Sequence, residues 1–229
     1  MTNLERTLKK IRKFINRFGV DINLLKREDI IDPIAYNSVE SADKYWKSVK
    51  NKQIWDSAEY KEFYTLLIDE LVQRNLDLNS KEWADVGCGS GTLLIYLKEK
   101  YKPQSIWGFE VAQSALDITA ERLPEARLKV YNLYETPSEQ FDVIFCTEVL
   151  EHLLHPDLAI QNLQKRMRAN STLIITVPNG RVDTWNGHIN FWSPESWAVF
   201  IEKNVNGKVF ETGKIDKRAL FAIISNKTE

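Results

Sequence analysis

From residue 82 onward, short apolar runs alternate with stretches whose apolar residues recur every three or four positions, and that alternation predicts strands joined by helices. The runs are EWADVGC at 82–88, SIWGFEV at 105–111, ARLKVYN at 126–132, FDVIFCT at 141–147 and STLIITVP at 171–178. Helical periodicity occupies 91–101, 112–122 and 157–168 between them, so the units read as βαβ crossovers within a parallel sheet. Two further runs, KVFETGKI at 208–215 and RALFAIIS at 218–225, are separated only by Asp216 and Lys217, a spacing that predicts an antiparallel hairpin at the sheet edge. The fold class that follows is α/β, a doubly wound and mostly parallel seven-stranded sheet.

The first 78 residues carry no strand pattern. Leu4, Leu8, Ile11, Ile15 and Phe18 recur at helical spacing, with Lys9, Lys10, Arg12, Lys13 and Arg17 on other faces and Gly19 as a stop. This amphipathic basic helix either packs on the domain with its basic face in water, or meets an anionic membrane surface or polyanionic substrate. Between Ser41 and Leu78 helix formers dominate, with Tyr45, Trp46, Trp55, Tyr60, Phe63 and Tyr64 interleaved among charges, which predicts two or three helices. The expected division is a helical extension or cap over 1–78 and a ligand-binding domain over 79–229.

Composition narrows the function class. The 229 residues hold 31 basic and 32 acidic side chains, so no global field favours nucleic acid as a partner. Charged residues at 28% and hydrophobic ones at 43% fit a soluble globular chain. No apolar stretch reaches the roughly 20 residues of a spanning helix. Cys88 and Cys146 stand alone inside apolar runs, which predicts two buried thiols and a reducing, cytoplasmic compartment.

The stretch DVGCGSGTLL at 85–94 follows a strand and opens a helix, the place where glycines let a ligand approach the backbone closely. Its spacing is G-x-G-x-G after the acid Asp85, which departs from the dinucleotide pattern G-x-G-x-x-G. WGFE at 107–110 ends the second strand in Glu110, where a doubly wound sheet places an acid on ribose hydroxyls. In these motifs and their order over 82–178 the chain resembles the class I S-adenosylmethionine-dependent methyltransferases, with their Rossmann-like sheet. The resemblance implies S-adenosyl-L-methionine as cofactor. It implies donor contacts from Asp85, Gly87, Cys88, Gly89, Gly91, Glu110 and Val111, from Asn132 and Leu133 beside the adenine, and from Thr147, or Glu148 next to it, beside the methionine moiety. Family members often carry Asp where Asn132 stands.

CTEVLEHLLH at 146–155 follows the fourth strand, so its polar side chains fall at the carboxyl edge of the sheet, where ligands of α/β proteins bind. If the stretch is helical, Glu148, Glu151 and His152 share one face at i, i+3 and i+4. His188, on the loop after the fifth strand, reaches the same edge. The E-x-x-E-H run with that histidine resembles the O-methyltransferases of ubiquinone biosynthesis, the small-RNA 2′-O-methyltransferases and glycan-pathway methyltransferases. By resemblance Glu148, Glu151, His152 and His188 are candidate Mg²⁺ ligands that would activate an acceptor oxygen. Two other roles remain open: His152 or His188 as a general base with Glu151 beside it and no metal, or a purely structural cluster. His155, before Pro156, reads as a helix-capping or loop residue.

Acceptor-pocket candidates are Trp185, Asn186, Phe191 and Trp192, while Tyr36, Tyr45 and Trp46 read as core more than pocket. WSPESW at 192–197 predicts a helix start with Ser193 as cap and Pro194 at the first position. The expected function is O-methylation of a hydroxyl on a sugar, glycolipid or other small molecule. RNA 2′-O-methylation and a non-catalytic S-adenosylmethionine-binding module are the alternatives.

Overall fold

A computed structural model describes residues 32–48 and 55–226. The basic helix expected within the first 31 residues, with its expected membrane contact, lies outside them. The described residues belong to one compact unit, Asp32–Glu229. Its elements are α1 (Pro33–Tyr36), α2 (Val39–Lys47), α3 (Ala58–Gln73), β1 (Glu82–Val86), α4 (Thr92–Lys100), β2 (Ser105–Glu110), α5 (Gln113–Arg122), β3 (Arg127–Val130), β4 (Phe141–Thr147), a 3₁₀ turn (Leu150–His152), α6 (Pro156–Lys165), β5 (Met167–Pro178), α7 (Pro194–Asn204), β6 (Val209–Ile215) and β7 (Ala219–Ser225).

The seven strands form one sheet in the order β3-β2-β1-β4-β5-β7-β6. The first five strands are mutually parallel where they pair. The terminal hairpin adds β7 antiparallel to β5 and leaves β6 at the edge. Central strands are covered on both faces, and β4 accordingly buries every residue except Asp142, giving a continuous apolar run. Alternate side chains divide between two cores. Trp83, Val143, Phe145 and Ile174 pack with α3 and α4, whereas Ala84, Ile144, Cys146 and Ile175 pack with α6 and α7.

Three details differ from the sequence reading. The expected boundary at residue 78 does not divide the core, because Phe63, Tyr64, Leu67, Ile68 and Leu71 of α3 share a hydrophobic cluster with Trp83 and Phe145 of the sheet. A sixteen-residue helix with one apolar stripe has to bury it, and the sheet face is where it does so. Secondly, α6 ends at Lys165 and β5 begins at Met167 rather than 171, so the strand takes in the last residues of the expected helix. Thirdly, Glu148 adopts a left-handed backbone, φ 55°, and only Leu150–His152 turn, as 3₁₀. The cluster is therefore not presented by one α-helical face.

Both cysteines are buried free thiols. Ser193 caps α7, its hydroxyl accepting from the Ser196 N–H at 3.2 Å with Pro194 in the first turn. Along α7, Trp197 is wholly buried and its indole N–H donates to the Phe221 carbonyl at 3.0 Å, tying the helix to β7. Trp197→Ala removes that bond and opens a large cavity. It should cost about 3–5 kcal/mol in urea unfolding, and a loss below about 1 kcal/mol would show that α7 is not held this way.

Candidate active site

The sheet order reverses between β1 and β4, so the loops that follow them diverge and open a crevice at the carboxyl edge. A cavity of about 830 Å³ lies there, walled by the glycine loop after β1, the turn after β4 and the described helices before the sheet. All ten residues expected to hold the donor are on or in it except Gly91, which starts α4 behind it. Gly87 and Gly89 have φ of 85° and 50°, and a Cβ on Gly89 would stand 2.8 Å from the Trp46 ring. Only glycine meets both demands.

Glu110 organises this loop. Its Oε1 accepts from the N–H groups of Val111 and Ala112 at 2.7 and 3.2 Å, and its Oε2 from the Gly89 N–H at 3.1 Å. One carboxylate thus joins the end of β2 to the turn after β1. Burial raises its pKa in spite of the three backbone bonds. Asp85, 1% exposed, keeps one carboxyl oxygen without a hydrogen-bond partner, and burial with Glu110 nearby pushes its pKa up to about 8. Both carboxyls suit a cationic ligand. Asn132 turns the chain after β3, its Oδ1 accepting from the Tyr134 N–H, while Leu133 and Thr147 present buried walls.

The acid-histidine cluster assembles from two loops. Ligand atoms of Glu151, His152 and His188 all lie within 4.8 Å of one another. The two imidazole rings meet edge to face at 4.9 Å. Glu151 is 1% exposed with both carboxyl oxygens unpartnered, and burial followed by the Glu148 charge raises its pKa well above the ordinary value. The Glu151 backbone carbonyl accepts from the N–H groups of Ile189 and Asn190, which docks the His188 loop against the turn after β4. Glu148 stands apart from the triad. Its Oε1 accepts from the Thr176 hydroxyl at 2.8 Å, and burial pushes its pKa up to about 7.

Neither histidine is held by the other members of the expected set. His188 Nδ1 lies 2.6 Å from Asp183 Oδ2. Burial alone would raise the Asp183 carboxyl, yet bonds from His188 and the Trp185 N–H bring it below its usual value. His152 Nδ1 is 2.9 Å from Asn37 Oδ1, and burial followed by the His188 charge lowers the His152 pKa to about 3. Asp183 and Asn37 escaped the sequence reading. Asp183 stands five residues before His188, a spacing that could have flagged it, whereas Asn37 is separated from His152 by 115 positions and carried no signal.

The aromatic assignments also change. Tyr36, Tyr45 and Trp46 all line the cavity, as do Tyr60 and Tyr64 of α3, while Trp46 is also core as expected, buried with Ala112, Ala115 and Ile118 and with Tyr45 packed against it. Trp185 faces it, edge on to Tyr36 at 5.2 Å and to His188 at 4.6 Å. Trp192 instead packs on Trp197 and Phe200 in the core, and Phe191 is half exposed beside His188. Bulk and polarity do not separate these tryptophans; the turn between them does. His155 occupies the N-cap position of α6, exposed, without a side-chain capping bond.

A family described as a methyltransferase domain matches residues 60–204, and the chain belongs to it: the protein is a class I S-adenosylmethionine-dependent methyltransferase. The chain is 25% identical over 177 residues to the ubiquinone biosynthesis O-methyltransferase of Rickettsia bellii, covering 71% of this chain and 73% of that one. It is 30% identical over 115 residues to the tRNA U34 carboxymethyltransferase of Helicobacter pylori, 46% of this chain and 44% of that one. The N-methyltransferase NodS of Bradyrhizobium japonicum, solved with S-adenosyl-L-homocysteine, shares the fold with a TM-score of 0.65 at 17% identity, covering 84% of this chain and all of that one.

The buried Asp85 carboxyl sets a pH dependence. Its folded pKa of about 8 exceeds the ~3.9 of a free aspartate, so between those values the folded chain keeps a proton that the unfolded chain has released. Its contribution to stability is full below about pH 4 and declines as pH rises toward 8, by up to about 1.4 kcal/mol per pH unit. Glu148 and Glu151, also raised, act in the same direction. Asp85→Asn should therefore flatten part of the fall in ligand-free melting temperature between pH 5 and 8. Parallel profiles for the two proteins would contradict the assignment.

Proposed function

We propose that this methyltransferase methylates a hydroxyl of a small acceptor, a sugar, a glycolipid or an aromatic compound, received between Glu151, His152 and His188. The observation that carries the reading is the His188–Asp183 pair at 2.6 Å beside the unpartnered Glu151 carboxyl. Bound S-adenosylmethionine supplies an electrophilic methyl on sulfur. The reaction forms the O–CH₃ bond and breaks the S–CH₃ bond, so the acceptor proton is what the protein must remove. His188 donates its Nδ1–H to Asp183 and keeps the Nε2 lone pair for that proton, and the Asp183 carboxylate balances the imidazolium that results. His152, with a pKa lowered to about 3 and a neutral partner in Asn37, stays uncharged and receives a hydrogen bond from a second polar group of the acceptor, such as a neighbouring hydroxyl. Asp85, Glu110 and the glycine loop serve the donor, whose positive charge their carboxyls favour.

The name of the Rickettsia relative supports an oxygen acceptor. Glu59 and Asp183 line the same cavity, and no Lys or Arg is among its described lining residues, which weighs against a phosphodiester acceptor and hence against RNA.

A second reading has its own observation. The two unpartnered Glu151 oxygens and two imidazoles within 4.8 Å fit a divalent cation. Two nitrogen donors with one carboxylate draw that set toward a transition metal rather than the expected Mg²⁺, which prefers oxygen. Glu148, already bonded to Thr176, is the weakest of the four expected ligands. A metal held there would polarise the acceptor oxygen.

Release of S-adenosylhomocysteine across a panel of phenols, glycosides and amines tests the acceptor class. Turnover of a hydroxyl acceptor is expected, with Asp183→Asn lowering kcat/KM about 10²-fold or more while calorimetric binding of S-adenosylhomocysteine persists. Turnover of amines alone, or no effect of Asp183→Asn, would overturn the proposal. For the metal reading, dialysis against EDTA should abolish turnover and Mn²⁺ or Zn²⁺ restore it, with calorimetric Mn²⁺ binding lost in Glu151→Gln. Unchanged turnover after dialysis rejects it.

A further inference from the structure

Asn37 lies in the short segment between α1 and α2, before the residues that match the family, yet its side chain reaches the centre of the candidate site. Its Nδ2 is 2.8 Å from the Gly187 carbonyl oxygen, and its Oδ1 is 2.9 Å from His152 Nδ1. A carbonyl oxygen only accepts, so the amide nitrogen must be the group that faces Gly187. The amide oxygen is then the group facing His152, and a close Nδ1 must carry a hydrogen to meet it. That hydrogen leaves the second ring nitrogen, Nε2, with its lone pair.

Nε2 is the atom that points into the cluster, 3.8 Å from Glu151 Oε1. His188 is set the same way round, because Asp183 accepts from its Nδ1. One residue from outside the family match therefore decides which face His152 shows to the acceptor. The other end of the same amide ties down the loop that carries Trp185 and His188. Tyr36, the neighbour of Asn37, closes the arrangement by meeting Trp185 edge to face at 5.2 Å.

We infer that Asn37 is a positioning residue of this enzyme: it locks His152 in the Nδ1–H tautomer with Nε2 open toward Glu151, and pins the Trp185–His188 loop to the helices that precede the sheet. The consequence for turnover rests on the acceptor site proposed above; the tautomer does not. A bare imidazole in water exchanges between its two neutral forms, so locking one of them is a property the protein must impose. The inference holds equally whether Nε2 meets an acceptor hydroxyl or a cation, since both need a lone pair at that atom.

Long-range proton–nitrogen correlation on protein labelled with ¹⁵N-histidine reads the tautomer directly, and the chain has only three histidines to assign. In the wild type at pH 7.5, with S-adenosylhomocysteine bound, His152 should show a protonated Nδ1 and an unprotonated Nε2. Asn37→Ala should lose that pattern and give averaged or reversed nitrogen shifts. Asn37→Asp keeps an oxygen for Nδ1–H but loses the donor to Gly187, so it should retain the tautomer while the Trp185 indole signal shifts. Calorimetry with S-adenosylhomocysteine reports whether each variant is folded, and if Asn37→Ala is not, the wild-type spectrum and Asn37→Asp decide. On a hydroxyl acceptor, Asn37→Ala should lower kcat about 10–100-fold, the cost of losing such an outer partner, with the KM for S-adenosylmethionine moved less than about threefold. An Nε2–H tautomer in the wild type, or an Asn37→Ala spectrum identical to it, overturns the inference. Failure of every hydroxyl acceptor with the His152 tautomer intact would count against the acceptor class alone.

Discussion

The pairing of β1 with β4 is the constraint on which the rest of the molecule depends. These strands lie side by side in parallel, Trp83 opposite Val143 and Asp85 opposite Phe145, but their outgoing chains depart to opposite faces of the sheet. One leads through the glycine loop into α4 and the other through Glu148 and the 3₁₀ turn toward α6. No backbone fills the gap between them, so the carboxyl edge opens into the cavity there. The glycine loop and the acid-histidine cluster are brought to one place by that reversal of direction.

Electrostatics at the cavity wall follow from how deeply its acids are set among other side chains. Asp85, Glu110, Glu148 and Glu151 are all buried deeply enough that desolvation is the leading cause of their raised pKa values. Packing acids in this way costs the ligand-free protein stability and is offset when a cation enters. The sulfonium donor of a methyltransferase is such a cation, and the methyl transfer that discharges it removes the attraction. The same chemistry favours release of the neutral sulfur product.

Local features were legible because their causes are local. Glycines at 87, 89 and 91 follow a strand, an acid ends the next strand, a short turn of three residues joins the final hairpin, and Ser193 precedes Pro194; each works through its immediate neighbours. The strand rhythm reported the parallel sheet for the same reason, since burial on both faces leaves continuous apolar runs. Where distant parts of the chain had to meet, the pattern was silent or misleading. Trp46 and Trp192 have the same side chain, yet one abuts the glycine loop and the other packs on Trp197. Glu148 and Glu151 look equivalent in EVLEH, but a left-handed residue turns the first toward Thr176 and leaves the second facing two histidines.

The sequence by itself determined the α/β class, the strand order along the chain, the glycine loop after β1 with the acid that ends β2, and the membership of Glu151, His152 and His188 in one neighbourhood. Tertiary structure alone decided how those residues are used: that α3 completes the sheet core, that Asp183 and Asn37 orient the two imidazoles, and that Tyr36 and Trp46 wall the cavity. The physical reason is the range of the interactions. Periodicity, caps and turns are settled within a few residues, whereas a ring nitrogen's proton is settled by whichever acceptor packing places within about 3 Å of it, and here one of those acceptors comes from the far end of the chain.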